Sequence, residues 1–132
     1  MENIFKLEII SPENIIYSDN VSMVTLPSYE GNMSILKNHI SIITFLRPGI
    51  IRAQKKNEGE YSDFFVEDGT VEYFKDSLVV LSPSALNVKS ISRDIISNLT
   101  KDTEEKLSKK DLSDHESYVL NHKLDALKQI KI

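Results

Sequence analysis

Cysteine and tryptophan are absent from the 132 residues, and no apolar run is longer than a few residues. Without cysteine there is no disulfide, so the fold depends on a hydrophobic core and suits a reducing compartment. A membrane-spanning helix needs about 20 apolar residues, so we expect no direct membrane insertion. Charged Glu2 and Lys6 interrupt the first residues, and we expect neither a signal peptide nor a transit peptide.

Glycine and proline are confined to the first 83 residues. The four glycines stand at positions 31, 49, 59 and 69 and the four prolines at 12, 27, 48 and 83, so the last 49 residues contain neither. Because both residue types form turns and interrupt helices, a region of many turns precedes an uninterrupted helical region. The sequence therefore predicts two domains, residues 1–87 and residues 88–132.

Basic residues are not concentrated in either part. Residues 1–88 carry 7 Lys/Arg against 12 Asp/Glu, and residues 89–132 carry 9 against 8, which together give a net charge of −4. A nucleic-acid-binding surface needs a strongly basic face. We therefore expect no nucleic-acid partner.

Motifs for catalysis or metal binding are also missing. The sequence has no Gly-x-Ser-x-Gly, no phosphate-binding glycine loop and no Cys/His pair. His39, His115 and His122 lack the spacing of a metal-binding motif. Glu104 and Glu105 are adjacent on a predicted helix and do not face each other, so they form no acid/base pair. We expect no catalytic residue, no cofactor and no metal.

Short strands are predicted throughout the first part. Phe5, Leu7 and Ile9 alternate with more polar residues, as in a strand with one buried face. The alternation changes phase within residues 21–26, which indicates a bulge or a strand that bends between two sheets. The whole pattern predicts an antiparallel β-sandwich of about ten short strands.

Two further details of the strands are predicted. Residues 42–46 are almost wholly apolar and are followed by Pro48-Gly49, which is typical of a strand covered on both faces. Asp68-Gly69 follows a strand at residues 61–66 and is a dipeptide favoured in two-residue β-hairpins.

The last part predicts a helical hairpin. Apolar residues recur at multiples of four in the first helix, at Ile91, Ile95, Leu99 and Leu107. Residues 108–112 interrupt this pattern, and Ser113-x-x-Glu116 is a capping box that starts a second helix. The apolar stripe of the second helix is Leu120, Leu124 and Leu127, widened by Val119 and Ile130.

The most distinctive stretch runs from residue 30 to residue 52. It contains a Glu-Gly turn, a polar loop with a histidine, an apolar segment and a Pro-Gly turn. It resembles the Glu-Gly-x-x-Gly-(Ile/Val)-Leu-x-x-His-Ala-Pro…Pro-Gly stretch of the epsilon subunit of F-type ATP synthases, called delta in mitochondria. Ser34 replaces a usual glycine, and Ile40-Ser41 replaces Ala-Pro. The matching residues are Glu30, Gly31, Ile35, Leu36, His39, Pro48 and Gly49.

The resemblance covers roughly the first 90 residues. Residues 5–18 look like the family's opening, with Ser11-Pro12-Glu13 followed by Tyr17-Ser18. Residues 66–69 stand where the family has Val-x-Gly-Gly, and residues 78–81 stand where it has its last strand. The remaining third agrees in helical character and length only.

The resemblance implies a non-catalytic subunit of the central stalk. In the family this subunit packs beside the gamma subunit, links it to the membrane c-ring and transmits torque during proton-driven ATP synthesis. Its helical tail has an extended state that contacts the alpha and beta subunits and inhibits ATP hydrolysis. The implied location is the cytoplasmic face of the bacterial plasma (inner) membrane, as a peripheral protein, with the plastid thylakoid membrane as the alternative.

Two sets of contact residues are implied as well. In the family the Glu-Gly turn and the histidine loop lie at the end of the sandwich that rests on the c-ring. The candidate c-ring contacts are therefore Glu30, Gly31, Asn32 and His39. Cations of the second helix are candidates for contacts with acidic partner surfaces: Lys123, Lys128 and Lys131.

Nucleotide binding is not carried over from the family. Some bacterial members bind ATP through Ile/Leu-Asp-x-x-Arg-Ala in the first tail helix, but residues 91–96 read Ile-Ser-Arg-Asp-Ile-Ile here. The carboxylate, the arginine and the alanine are missing at their positions. Asp125 and Gln129 stand about where further arginines would lie, and neither provides a cation for phosphate.

Two other functions stay open on the sequence alone. The runner-up is a stand-alone β-sandwich binding module whose helical tail forms dimers. A small hydrolase is the third, although no nucleophile motif supports it. The combined Glu-Gly…His…Pro-Gly and Val-x-x-Gly patterns favour the interpretation as an epsilon subunit over these two functions.

Overall fold

The computed structural model describes residues 3–55 and 59–130. Nine strands are followed by a short 3₁₀ turn, Val88–Ser90, and two helices. The strands are β1 (Phe5–Ile10), β2 (Ile15–Ser28), β3 (Gly31–Leu36), β4 (Ile42–Leu46), β5 (Gly49–Lys55), β6 (Tyr61–Val66), β7 (Gly69–Phe74), β8 (Ser77–Leu81) and β9 (Leu86–Asn87). The helices are α1 (Arg93–Leu107) and α2 (Asp114–Gln129). The predicted sandwich followed by a helical hairpin is confirmed.

The long strand β2 joins the two halves of the sandwich. Its first half pairs with β1, and its second half pairs with β3 and β5. The pairing with β5 is irregular between Val21 and Met23, which confirms the predicted bulge. Strands β1, β8, β7 and β4 form one side, with β1 and β8 parallel, and β5, β6 and β9 extend the other. Inward-facing apolar residues of both sides form one core.

The predicted hairpin at Asp68-Gly69 is wrong. Strand β6 pairs with β5 and β9, whereas β7 pairs with β4 and β8, so the chain crosses between the halves at this turn. Gly69 serves close packing instead, because a Cβ there would lie 2.7 Å from the carbonyl oxygen of Leu81. The dipeptide marks a turn but does not decide which strands pair.

The prediction that β4 is covered on both faces is also wrong. Leu46 is buried, but Ile43 is 72% exposed and Phe45 is 61% exposed. Both point away from the core because alternate residues of a strand face opposite sides. In the β4–β7–β8 register, Phe45 lies beside Thr70, which lies beside Leu81, and Leu81 is also exposed. We call the outward-facing side of β4, β7 and β8 the outer face.

The tail is a pair of helices that follow the sandwich along the chain. Ser113 Oγ accepts a hydrogen bond from the Glu116 backbone N–H at 3.0 Å, and Glu116 Oε1 accepts one from the Ser113 N–H at 3.3 Å, so the predicted capping box is confirmed. Ile91 precedes α1 and is buried, whereas Ile95, a predicted stripe residue, is 44% exposed. The helices pack on β5 and β6 through a small apolar group, the tail cluster, whose buried members are Phe65, Ile91, Ala126 and Leu127.

Candidate functional site

The β2–β3 turn presents the first three candidate contact residues. Gly31 has a φ of +119°, which favours glycine, and Ser28 Oγ donates a hydrogen bond to the Gly31 carbonyl at 2.6 Å. Glu30 is exposed at the tip of the turn, and Asn32 is exposed at the start of β3. A Cβ on Gly31 would meet no atom within 4 Å. The glycine is therefore needed for its backbone conformation and not for lack of space.

His39 lies at the other end of β3. Its ring meets that of Tyr73 edge-on, with centroids 5.7 Å apart. Asp76 Oδ1 accepts hydrogen bonds from the Asn38 N–H at 3.1 Å and from the Tyr73 hydroxyl at 2.8 Å. These bonds, the one from Tyr73 first, hold the pKa of Asp76 below its ordinary value. The loop that contains His39 is therefore held in place by contacts with Tyr73 and Asp76 of the β7–β8 hairpin.

The expectation that Glu30 and His39 lie at one end of the sandwich is wrong. The six residues of β3 separate the two turns, which is about 20 Å at the usual rise of a strand. A flat partner surface that meets one end does not meet the other. The sequence motif brings these residues close along the chain, and the intervening strand places them apart.

The β4–β5 turn connects the sandwich to α2. Gly49 has no room for a side chain, since a Cβ there would lie 2.5 Å from the Cβ of Pro27. This close packing fixes Arg47, whose N–H donates to the Pro27 carbonyl at 2.9 Å. The Arg47 guanidinium then donates to Asn32 Oδ1 at 3.2 Å and contacts His122 Nδ1 on α2 at 3.2 Å.

Aromatic contacts lie beside this connection. The ring of Tyr29 stacks on those of Tyr118 and His115, with centroids 5.7 and 6.1 Å apart. Tyr118 also meets His122, with ring centroids at 4.3 Å. His115, Tyr118 and His122 thus form one face of α2, turned toward the β2–β3 turn. We call Arg47, Tyr29 and these three residues the tail joint.

The candidate lysines of the tail differ in environment. Lys123 is only 7% exposed and forms an ion pair with Glu67, which follows β6. Lys128 is exposed on α2. Lys131 lies outside the described residues. Of the described pair, only Lys128 is open to a partner while α2 lies on the sandwich.

Sequence reasoning did not find Arg47, Tyr29, Tyr118 or Glu67. Arg47 and His122 are 75 residues apart, and no local pattern predicts their contact. The spacing of His115, Tyr118 and His122 was a usable signal, because residues three and four apart share a helix face. Among the described residues, no group of three or more His, Cys, Asp or Glu could hold a metal, and no helix could span a membrane.

Comparisons with known proteins agree with this fold. Residues 4–88 match the family model of the ATP synthase delta/epsilon chain β-sandwich domain. The chain is 44% identical over 131 residues to the ATP synthase epsilon chain of Pelagibacter ubique, covering 98% of this chain and 99% of the relative. It is 31% identical to the epsilon chain of Allorhizobium ampelinum, covering 95% and 88% of the two chains.

Solved structures show the same fold at low sequence identity. A chain of the Euglena gracilis mitochondrial ATP synthase, in a structure of its OSCP/F1/c-ring part, superimposes with a TM-score of 0.77 at 16% identity, covering 97% of this chain and 81% of that one. A chain of the Tetrahymena thermophila mitochondrial ATP synthase central stalk and c-ring gives 0.65 at 16% identity, covering 94% and 93%. Because the Pelagibacter match includes both sandwich and tail, an unrelated binding module with a dimerising tail is not favoured. The chain belongs to the ATP synthase epsilon-chain family.

Proposed function

We propose that this chain is the non-catalytic epsilon subunit of a proton-translocating ATP synthase, where it links the gamma subunit to the c-ring. The observation that carries the proposal is the 44% identity with an epsilon chain over both sandwich and tail. We place the complex at the cytoplasmic face of a bacterial inner membrane, with a thylakoid membrane as the alternative. We also take residues 1–87 and 88–132 as its two domains.

The outer face is the proposed gamma-binding surface. Its exposed apolar residues, among them Ile43, Phe45 and Leu81, would cost free energy if they stayed in water. They lie on paired strands, so they form a stiff surface that suits the transmission of torque. Burial of an apolar side chain of this size contributes about 1.5–3 kcal/mol.

The β2–β3 turn is the proposed c-ring contact. Glu30, Gly31 and Asn32 are presented there by two paired strands. The position of His39 at the far end of β3 leaves it out of this contact.

The tail is the proposed regulatory part. In the position described here it lies on β5 and β6 through the tail cluster, the tail joint and the Lys123–Glu67 ion pair. In an extended position, Lys123, Lys128 and Lys131 would be available to acidic surfaces of the alpha and beta subunits. Inhibition of ATP hydrolysis is the expected consequence of that position.

Complex formation with the cognate gamma subunit tests the proposal. We expect one complex by size-exclusion chromatography, and we expect Phe45→Glu to weaken it at least tenfold, because a carboxylate would be buried at the interface. Ile95→Glu is the matched control, since Ile95 is an exposed apolar residue of α1 outside the outer face. Failure of the unaltered chain to bind gamma would reject the proposed function, and equal binding by both variants would reject the proposed surface.

A further inference from the structure

The contact between Arg47 and His122 requires a neutral imidazole. An arginine guanidinium only donates hydrogen bonds and stays charged at any physiological pH. His122 Nδ1, 3.2 Å from Arg47 Nη1, must therefore accept, and the ring proton must sit on Nε2. Protonation of Nδ1 would place two donors and two positive charges against each other.

The surroundings of His122 do not offset that repulsion fully. The charged groups that line the cleft around it, within the described residues, are Arg47 from the β4–β5 turn and Asp125 from α2 itself. Asn32 of β3 and Gln129 of α2 are polar and uncharged, and the ring of Tyr118 packs on the other side. Burial and then Arg47 lower the pKa of His122 from its ordinary value of 6.5, and Asp125 acts in the opposite direction.

Within residues 3–55 and 59–130, this contact belongs to a small set that holds α2 on the sandwich. The tail cluster has four buried members, and the hydrogen bond from the Tyr118 hydroxyl to the Tyr29 carbonyl is long, at 3.4 Å. The Lys123–Glu67 ion pair lies one residue away from His122 along α2. With so few contacts, a change of charge at one of them shifts the balance between docked and undocked positions.

We propose that the Arg47–His122 contact makes docking of the tail pH-dependent, so that acid releases α2 from the sandwich. The proposal rests on the proposed mobility of the tail and adds the group that controls it. Docked His122 is held neutral, whereas undocked His122 takes up a proton near its ordinary pKa of 6.5. Docking is therefore strongest above that pH and weakens as the pH falls below it, until docked His122 also protonates. In that window the docking constant falls about tenfold per pH unit.

Fluorescence energy transfer within the full chain measures docking directly. The sequence has no cysteine, so Glu13→Cys and Lys128→Cys, both at exposed positions, can carry a donor and an acceptor dye. We expect a single transfer efficiency at about pH 8 and a rising second population toward about pH 5.5. His122→Gln should abolish the pH response, because its amide accepts from Arg47 and does not titrate. His115→Gln is the matched control on the same helix and should keep the response.

Each outcome decides between the alternatives. An unchanged transfer efficiency between the two pH values, or a response that survives in His122→Gln, would overturn the proposal. If the tail of His122→Gln is undocked even at about pH 8, the ¹⁵N chemical shift of Nδ1 is followed against pH in the chain that keeps His122. Protonation of His122 in the same pH range as the change in transfer efficiency supports the proposal. Protonation in a different pH range overturns it. Binding to the gamma subunit at about pH 8 is measured independently, so failure of the pH-dependent docking and failure of the proposed function are distinguishable.

Discussion

The sandwich and the tail are stabilised in different ways. Among the described residues, the sandwich core holds 17 buried apolar or aromatic residues in one cluster, whereas the tail cluster holds four. At the tail, the four apolar residues are supplemented by an ion pair, an Arg–His contact and stacked rings. Apolar burial does not depend on the protonation of side chains, whereas ion pairs and contacts with histidine depend on charge and on screening by water and salt.

This difference suits a part that stays folded and a part that moves. Each fully buried Leu or Phe contributes about 1.5–3 kcal/mol, so the core far exceeds what four buried residues supply. Isolated helices of about 15 residues are marginal in water, so the tail helices depend on the surface they contact. We infer that the docked tail opens at a lower free energy than the sandwich.

The largest effect is expected from truncation of a core leucine. Leu78 and Leu127 are both buried, at 0% and 2% exposure, but Leu78 lies in the sandwich core and Leu127 in the tail cluster. Leu78→Ala should lower the free energy of unfolding of the sandwich by about 2–5 kcal/mol. Leu127→Ala should leave that value nearly unchanged and weaken tail docking instead. Urea unfolding followed by circular dichroism measures the first, and dye-based energy transfer measures the second.

The difference between sandwich and tail is contradicted if Leu78→Ala and Leu127→Ala lower the free energy of unfolding by the same amount. An equal loss of sandwich stability in both variants would mean that tail and sandwich unfold as one cooperative unit.

A smaller effect is expected from Lys123→Met. Methionine keeps most of the buried volume, but Glu67 loses its partner. Because the Glu67 side chain is 39% exposed, water offsets much of the loss, and docking should weaken by about 1 kcal/mol. The docked fraction measured by energy transfer should fall accordingly. Lys128→Met, at an exposed position of the same helix, is the control and should leave docking unchanged.

Removal of both charges tests whether the loss of docking comes from the unpaired carboxylate of Glu67. Glu67→Gln combined with Lys123→Met leaves no unpaired charge, so docking should recover part of the loss. A double variant weaker than Lys123→Met alone would show that Glu67 stabilises the tail through some other contact.

Features set by local residues could be predicted from the sequence. The α2 boundary follows from Ser113 and Glu116, because a capping box satisfies backbone donors within one turn. The bulge near Val21 follows from the change of phase in the alternation. The motif at residues 30–49 predicted the family, and the turn at Gly31 has a positive φ of the kind that favours glycine.

Features set by contacts between residues distant in the sequence could not be predicted from the sequence. Asp68-Gly69 favours a hairpin locally, but the pairing of β7 with β4 and β8 overrides that preference. The apolar run of β4 does not reveal that one face is left exposed, because a surface for a partner and a core have the same composition. Lys123 looked like a surface cation, since its partner Glu67 is 56 positions away in the sequence.

Native-state hydrogen exchange of the full chain tests the separation of sandwich and tail most directly. We expect the amides of α1 and α2 to exchange through openings of distinctly lower free energy than those of β1, β7 and β8, since the tail has the smaller buried cluster. The tail amides should open as one group while the strand amides keep their protection. A single opening free energy shared by helices and strands would contradict the separate opening of the tail, because the tail would then be part of the sandwich's cooperative core.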